Sequence, residues 1–227
     1  MRICFVNEGT VDGFSALRQS SVWDGEQPEL ITFSFDGLGE VSYEKELKGE
    51  TSSFESLATL SKRGNCIVVS GCITQTRGHK RKSAVVAEDG RIIGVADMLH
   101  VIDGEVGSGA SLRVFETKIG KMGVVVGNDI FFPDIFKSLA LCGSDFIVCA
   151  YERIEGIEQV LIRANAFSYG VPVFFCAKGY ALLADATGEV TFAAAQSPAY
   201  MRFTPKKEYH LVETRRRGFI RSSNGLY

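Results

Sequence analysis

The chain has 227 residues, 45% hydrophobic and 23% charged, a balance typical of a globular protein and too apolar for a disordered one. A net charge of −2 gives none of the basic excess that nucleic-acid binding needs, and no run reaches the roughly 18 apolar residues of a membrane span. Neither nucleic acid nor a membrane is expected as a partner.

In chain order, Ile3 to Asn7 reads as an apolar strand, following Met1 too closely for a signal segment. A short helix is expected over Phe14 to Trp23 and a strand over Leu30 to Phe35. Ser52 and Glu55 have capping-box spacing ahead of a helix that carries Phe54, Leu57 and Ala58 and stops at Gly64. Strands follow at Cys66 to Gln75 and Ser83 to Glu88. An Asp89-Gly90 hairpin turn then leads to a strand over Arg91 to Ala96.

Two more strands, Leu112 to Thr117 and Gly123 to Val126, precede a helix opened by Pro133, where a missing N–H costs nothing. After a strand over Phe146 to Ala150, Ile157, Val160, Leu161, Ala164 and Phe167 recur at helical spacing up to Tyr169. Strands over Val173 to Ala177, Ala181 to Asp185, Glu189 to Ala194 and Glu208 to Glu213 complete the chain. The alternation implies an α/β layered fold, and with no linker or low-complexity stretch it reads as one domain over 1–227.

The six cysteines show no CxxC spacing and read as buried, reduced thiols of a cytoplasmic protein. His79, His100 and His210 are scattered without ligand spacing, so neither a metal nor another cofactor is expected. The basic cluster Arg77, His79, Lys80, Arg81, Lys82 reads as a solvated loop.

The stretch from Thr117 to Asp134 resembles the nitrilase, or carbon–nitrogen hydrolase, superfamily, whose members carry a strand, a Cys-x-Asp-x-x-Phe-Pro-Glu turn, a helix and then Gly-Ala-Asp. Asp129, Phe132, Pro133, the acidic Asp134, Gly143 and Asp145 match. Val85 to Gly90, the Arg163-Ala164-Asn165-Ala166 run and Gly188 extend the resemblance over nearly the whole chain. It implies a four-layer αββα sandwich and a Glu-Lys-Cys triad. In such a triad the thiolate attacks an amide or nitrile carbon, the glutamate moves the proton, and the lysine stabilises the anionic intermediate.

Carried over position by position, the resemblance puts Gly127 in the cysteine slot, Met98 in the lysine slot and Phe35 in the glutamate slot. None of these can attack, donate or titrate. Asp36, His100, Glu105, Asn128 and Asp129 are the candidate pocket-lining residues, with Asp129 more simply a turn cap. Lys82 and Lys118 lie too far along the chain from the lysine slot to be expected there.

The expectation is a catalytically inactive family homologue that binds a small molecule or a protein. The alternative is an active amidase- or nitrilase-type hydrolase with a relocated nucleophile. The resemblance further implies a homodimer, paired through the helix after the elbow, the turn that holds Gly127, Asp129 and Pro133. Phe136, Leu139 and Ala140 would lie in that interface together with the tail bearing Arg215, Arg216, Arg217, Phe219 and Ile220.

Overall fold

A computed structural model of the chain describes residues 1–19, 27–102, 104 and 106–205. Strand β1 (Arg2–Val6) and helix α1 (Val11–Gln19) are followed by β2 (Leu30–Phe33), β3 (Glu40–Ser42), α2 (Tyr43–Lys48) and α3 (Ser53–Arg63). Next come β4 (Ile67–Thr76), β5 (His79–Glu88), β6 (Arg91–Asp97), β7 (Val114–Thr117) and β8 (Gly120–Val126). A 3-10 turn, Gly127–Phe131, leads into α4 (Pro133–Leu141), β9 (Phe146–Arg153) and α5 (Ile157–Tyr169). Strands β10 (Val173–Lys178), β11 (Tyr180–Ala184), β12 (Val190–Ala194) and β13 (Ala199–Arg202) follow. The expected strand over Glu208 to Glu213 and the arginine-rich tail lie outside the described residues, as does the end of the first helix.

Seven strands form one sheet in the order β13-β1-β2-β4-β5-β6, with β3 also on β4; the other sheet runs β12-β11-β10-β9-β8-β7. Period-two alternation along the strands sends successive side chains to opposite faces. Ala84, Val86, Met122, Val124, Phe146, Val148 and Phe174 fill the space between the sheets. The opposite faces meet helices. Cys4, Ile31 and Val68 pack on Phe14, Leu57 and Leu60, while Ile147, Cys149 and Phe175 pack on Ile135, Phe136 and Leu139. The result is the four-layer αββα sandwich.

Several local expectations change. The capping box does not form: Ser52 makes no side-chain cap, and the Glu46 carboxylate accepts the N–H groups of Ser53 and Phe54 at 3.0 Å each. Glu46 sits on α2, a helix too short to show a periodic signal. The Asp89-Gly90 turn is as expected, with φ of +50° and +80°. Five of the six cysteines are buried and Cys142, at the end of α4, is exposed.

One expectation about surface is reversed. Phe136, Leu139 and Ala140 are buried in this chain's own core and cannot form an outer patch. On α5 the apolar stripe faces outward, with Ile157 55%, Val160 56% and Phe167 54% exposed, and Ala164 on the same side. Its inward side is carried by Glu158, Ile162, Asn165 and Ala166. Glu158 can be buried because its carboxylate accepts the N–H groups of Glu155 and Gly156, at 2.9 and 2.8 Å, at the start of its own helix.

Candidate functional site

The strand ends gather the candidate residues. In an α/β sheet, loops at the carboxyl ends of parallel strands form the usual ligand crevice. Phe35 follows β2, Met98 follows β6 and Gly127 follows β8. The turn holding Phe35 is fixed by backbone: its N–H donates to the Tyr151 carbonyl of the other sheet at 3.1 Å. Gly71 lies so close beneath that a Cβ there would stand 2.5 Å from the Phe35 Cα. Phe35 is 3% exposed and Met98 1%.

Gly127 has φ +51°, a left-handed conformation that glycine adopts most readily. A Cβ built on it would lie 3.0 Å from the Met98 sulfur, 3.4 Å from Lys82 Cδ and 3.5 Å from Glu152 Oε1. The Asn128 N–H donates to the Met98 sulfur at 3.3 Å. The Lys82 ammonium sits 2.6 Å from Glu152 Oε1 and 5.7 Å from the centre of the Phe35 ring. Phe35, Met98 and Gly127 are thus grouped around one lysine.

Lys82 is the residue that sequence reasoning set aside. Chain distance is the wrong measure for a hairpin: the Met98 N–H donates to the Lys82 carbonyl at 2.8 Å. A bulge between Val86 and Ala87 shifts the β5–β6 pairing by one, so that Ser83 lies opposite Asp97. Lys82 continues the inward alternation of Ala84 and Val86, and Glu152 continues that of Phe146, Val148 and Ala150. That parity was the available signal. The expected strand ended at Ala150, two residues short of Glu152, and the expected basic loop is the β4–β5 hairpin. Lys80 in that hairpin pairs with Glu40 at 2.7 Å.

Asp129 is 2% exposed and serves as a clamp. Its carboxylate accepts from the Leu99 N–H at 2.9 Å, from the His100 N–H at 2.8 Å, and contacts His100 Nδ1 at 2.9 Å. The His100 ring stacks on Phe132 with centroids 3.8 Å apart. These contacts tie the exit of β6 to the elbow. Asn128 takes part through its backbone. Asp36 is exposed in its turn, where its carbonyl accepts from the Gly39 N–H at 3.2 Å. Glu105 lies outside the described residues.

Four of the thiols are ill suited to act as nucleophiles. Burial pushes Cys66 and Cys72 up to about 12 and holds Cys149 and Cys176 well above the ordinary thiol value. A buried thiol without a cation beside it stays protonated and inert. Among the described residues no cluster of three or more His, Cys, Asp or Glu side chains could hold a metal, and no helix is long and apolar enough to cross a membrane.

The carbon-nitrogen hydrolase family matches the sequence over residues 27–198. This chain belongs to the carbon-nitrogen hydrolase family. A probable nitrilase of Schizosaccharomyces pombe is 28% identical over 158 residues, 64% of this chain; the match spans only 57% of that relative's length. A Saccharomyces cerevisiae member of branch 10 of the nitrilase superfamily has the same fold, with a TM-score of 0.77 at 15% identity over 100% of this chain and 97% of its own. So does a carbon-nitrogen hydrolase of Helicobacter pylori G27, with a TM-score of 0.74 at 15% identity, covering 88% and 87% of the two chains. The carbon-nitrogen hydrolase fold therefore accounts for the two facing sheets and for the place of the elbow.

Proposed function

We propose that this carbon-nitrogen hydrolase family member has given up covalent hydrolysis and binds a small molecule at the strand ends around Gly127. The observation that carries this reading is the contact between the Asn128 N–H and the Met98 sulfur. In acyl transfer, backbone N–H groups beside the nucleophile are aimed at the developing oxyanion. Here that donor is directed at a thioether, and the position before it has no side chain. The raised thiols of Cys66, Cys72, Cys149 and Cys176 argue against a relocated cysteine nucleophile.

The test is turnover of a panel of amides, nitriles and carbamoyl compounds by the purified protein. No release of ammonia above a buffer control is expected. Turnover that survives further purification and disappears in Lys82→Met or Glu152→Gln would overturn the reading.

The protein is further proposed to be a cytoplasmic homodimer. Six cysteines outside any disulfide fit a reducing compartment. The outward stripe Ile157, Val160, Ala164, Phe167 on α5 is continuous along one helix face, and exposed apolar surface of that kind marks interfaces. A second copy offers the same stripe, as a self-complementary two-fold contact requires.

A further inference from the structure

We infer that the Lys82–Glu152 pair is a recognition site for α-amino acids, a ligand class that rests on the reading of this site as non-covalent. The two charges come from different sheets, Lys82 from β5 and Glu152 from β9, and meet at 2.6 Å beside Gly127. Their side chains are 25% and 31% exposed, although the Glu152 Oε1 that meets the ammonium is itself buried. Two polar groups of the neighbouring turn are already engaged. Asp129 is held by Leu99 and His100, and the Asn128 N–H by Met98. The ring of Phe35 lies under the ammonium and supplies no hydrogen-bonding group.

Charge balance selects the ligand. A plain carboxylate could take Lys82 only by leaving Glu152 without its cation, and a plain amine would strand Lys82 in the same way. Stranding one member of a partly desolvated pair is costly. A zwitterion replaces one ion pair with two, its carboxylate on Lys82 and its ammonium on Glu152, with no change in net charge. The two sites are in contact, so the ligand's charges must also be adjacent. An α-amino acid carries both on one carbon. A zwitterion with a long spacer would have to fold back on itself to reach both. Glycine at 127 places no side chain against Lys82 Cδ and Glu152 Oε1, and because that oxygen is buried the ligand reaches it by parting the pair.

The experiment is calorimetric titration of the full chain with glycine, alanine, phenylalanine and glutamate. Each would be compared with its N-acetyl and methyl-ester analogue, which lack one of the two charges. Binding of at least one free amino acid is expected, with both analogues weaker by at least about tenfold. Lys82→Met and Glu152→Gln should each lose a similar factor, and the charge-swapped double variant Lys82→Glu, Glu152→Lys should recover binding. Recovery in the swap keeps the test decisive if a single variant folds poorly. Equal binding of the analogues, or no heat with any free amino acid at millimolar concentration, would overturn the inference. Turnover of amides is read separately and bears only on the non-covalent reading.

Discussion

The Asn128 N–H and the Met98 sulfur stand 3.3 Å apart, a backbone donor satisfied by a weak acceptor. The contact closes the geometry around Gly127 from the β6 side, while Lys82 and Glu152 close it from β5 and β9. A cation and a carboxylate are therefore present beside position 127, which Phe35, Met98 and Gly127 alone do not suggest.

Gly127→Cys will nevertheless give no amide turnover. The reason is steric and conformational: the new side chain meets the Met98 sulfur at 3.0 Å, and the residue must keep φ +51°. A strained left-handed residue costs about 1–3 kcal/mol. Urea denaturation should show a loss of that size, and an amide assay should match the parent protein. Measurable acylation of the introduced thiol would refute this.

Asp129→Ala will destabilise the fold by about 2–4 kcal/mol, because the N–H groups of Leu99 and His100 lose their acceptor in a buried place. His100→Ala should cost less, since its ring is 37% exposed and its stacking on Phe132 is the main loss. Chemical denaturation ranks the two.

Alkylation of the native protein at pH 8 will mark Cys142 alone, and all six cysteines after denaturation. Burial pushes the Cys66 and Cys72 thiols up to about 12, so both stay protonated at pH 8. Mass spectrometry counts the adducts; rapid native labelling of Cys149 or Cys176 would contradict the packing.

Glu46→Ala will cost about 1 kcal/mol at neutral pH through loss of the α3 cap. Burial alone would raise the Glu46 pKa, but hydrogen bonds from Thr51, Phe54 and Ser53 outweigh it and hold it below the ordinary 4.5. A depressed folded value means the stabilisation is complete above about pH 4.5 and is lost as pH falls through the folded value. The gap between variant and parent should therefore close in acid. A gap that widened below pH 4.5 would exclude this cap.

Val160→Glu or Phe167→Glu will shift the assembly toward monomer in light scattering, without loss of fold, because both side chains are more than half exposed in the single chain. Phe136→Ala should do the reverse. It should leave the oligomer unchanged and cost about 3–5 kcal/mol of stability as a core cavity. A monomeric parent protein at micromolar concentration would remove the dimer altogether.

Element order was legible because strand and helix periods differ and the turns are marked by Asp89-Gly90, Pro133 and Gly170. The elbow was legible because Asp129, Phe132 and Pro133 keep a motif. Direction on α5 was not, because its core side is partly polar, with Glu158 and Asn165 buried while the apolar stripe faces outward. The ion pair was missed for a different reason. A one-residue bulge in β5–β6 carries no sequence mark beyond Gly94, and Lys82 looked remote from Met98 when counted along the chain.

The close approach of Gly71 to Phe35 also limits how this protein can change over generations. Any larger residue at 71 would push directly into the backbone of the β2 exit. Substitutions at 35 alter only what hangs from that backbone. Drift at the crevice is thus channelled into side-chain exchange over a path that stays put, and a lineage could change its chemistry here repeatedly while inheriting the same frame.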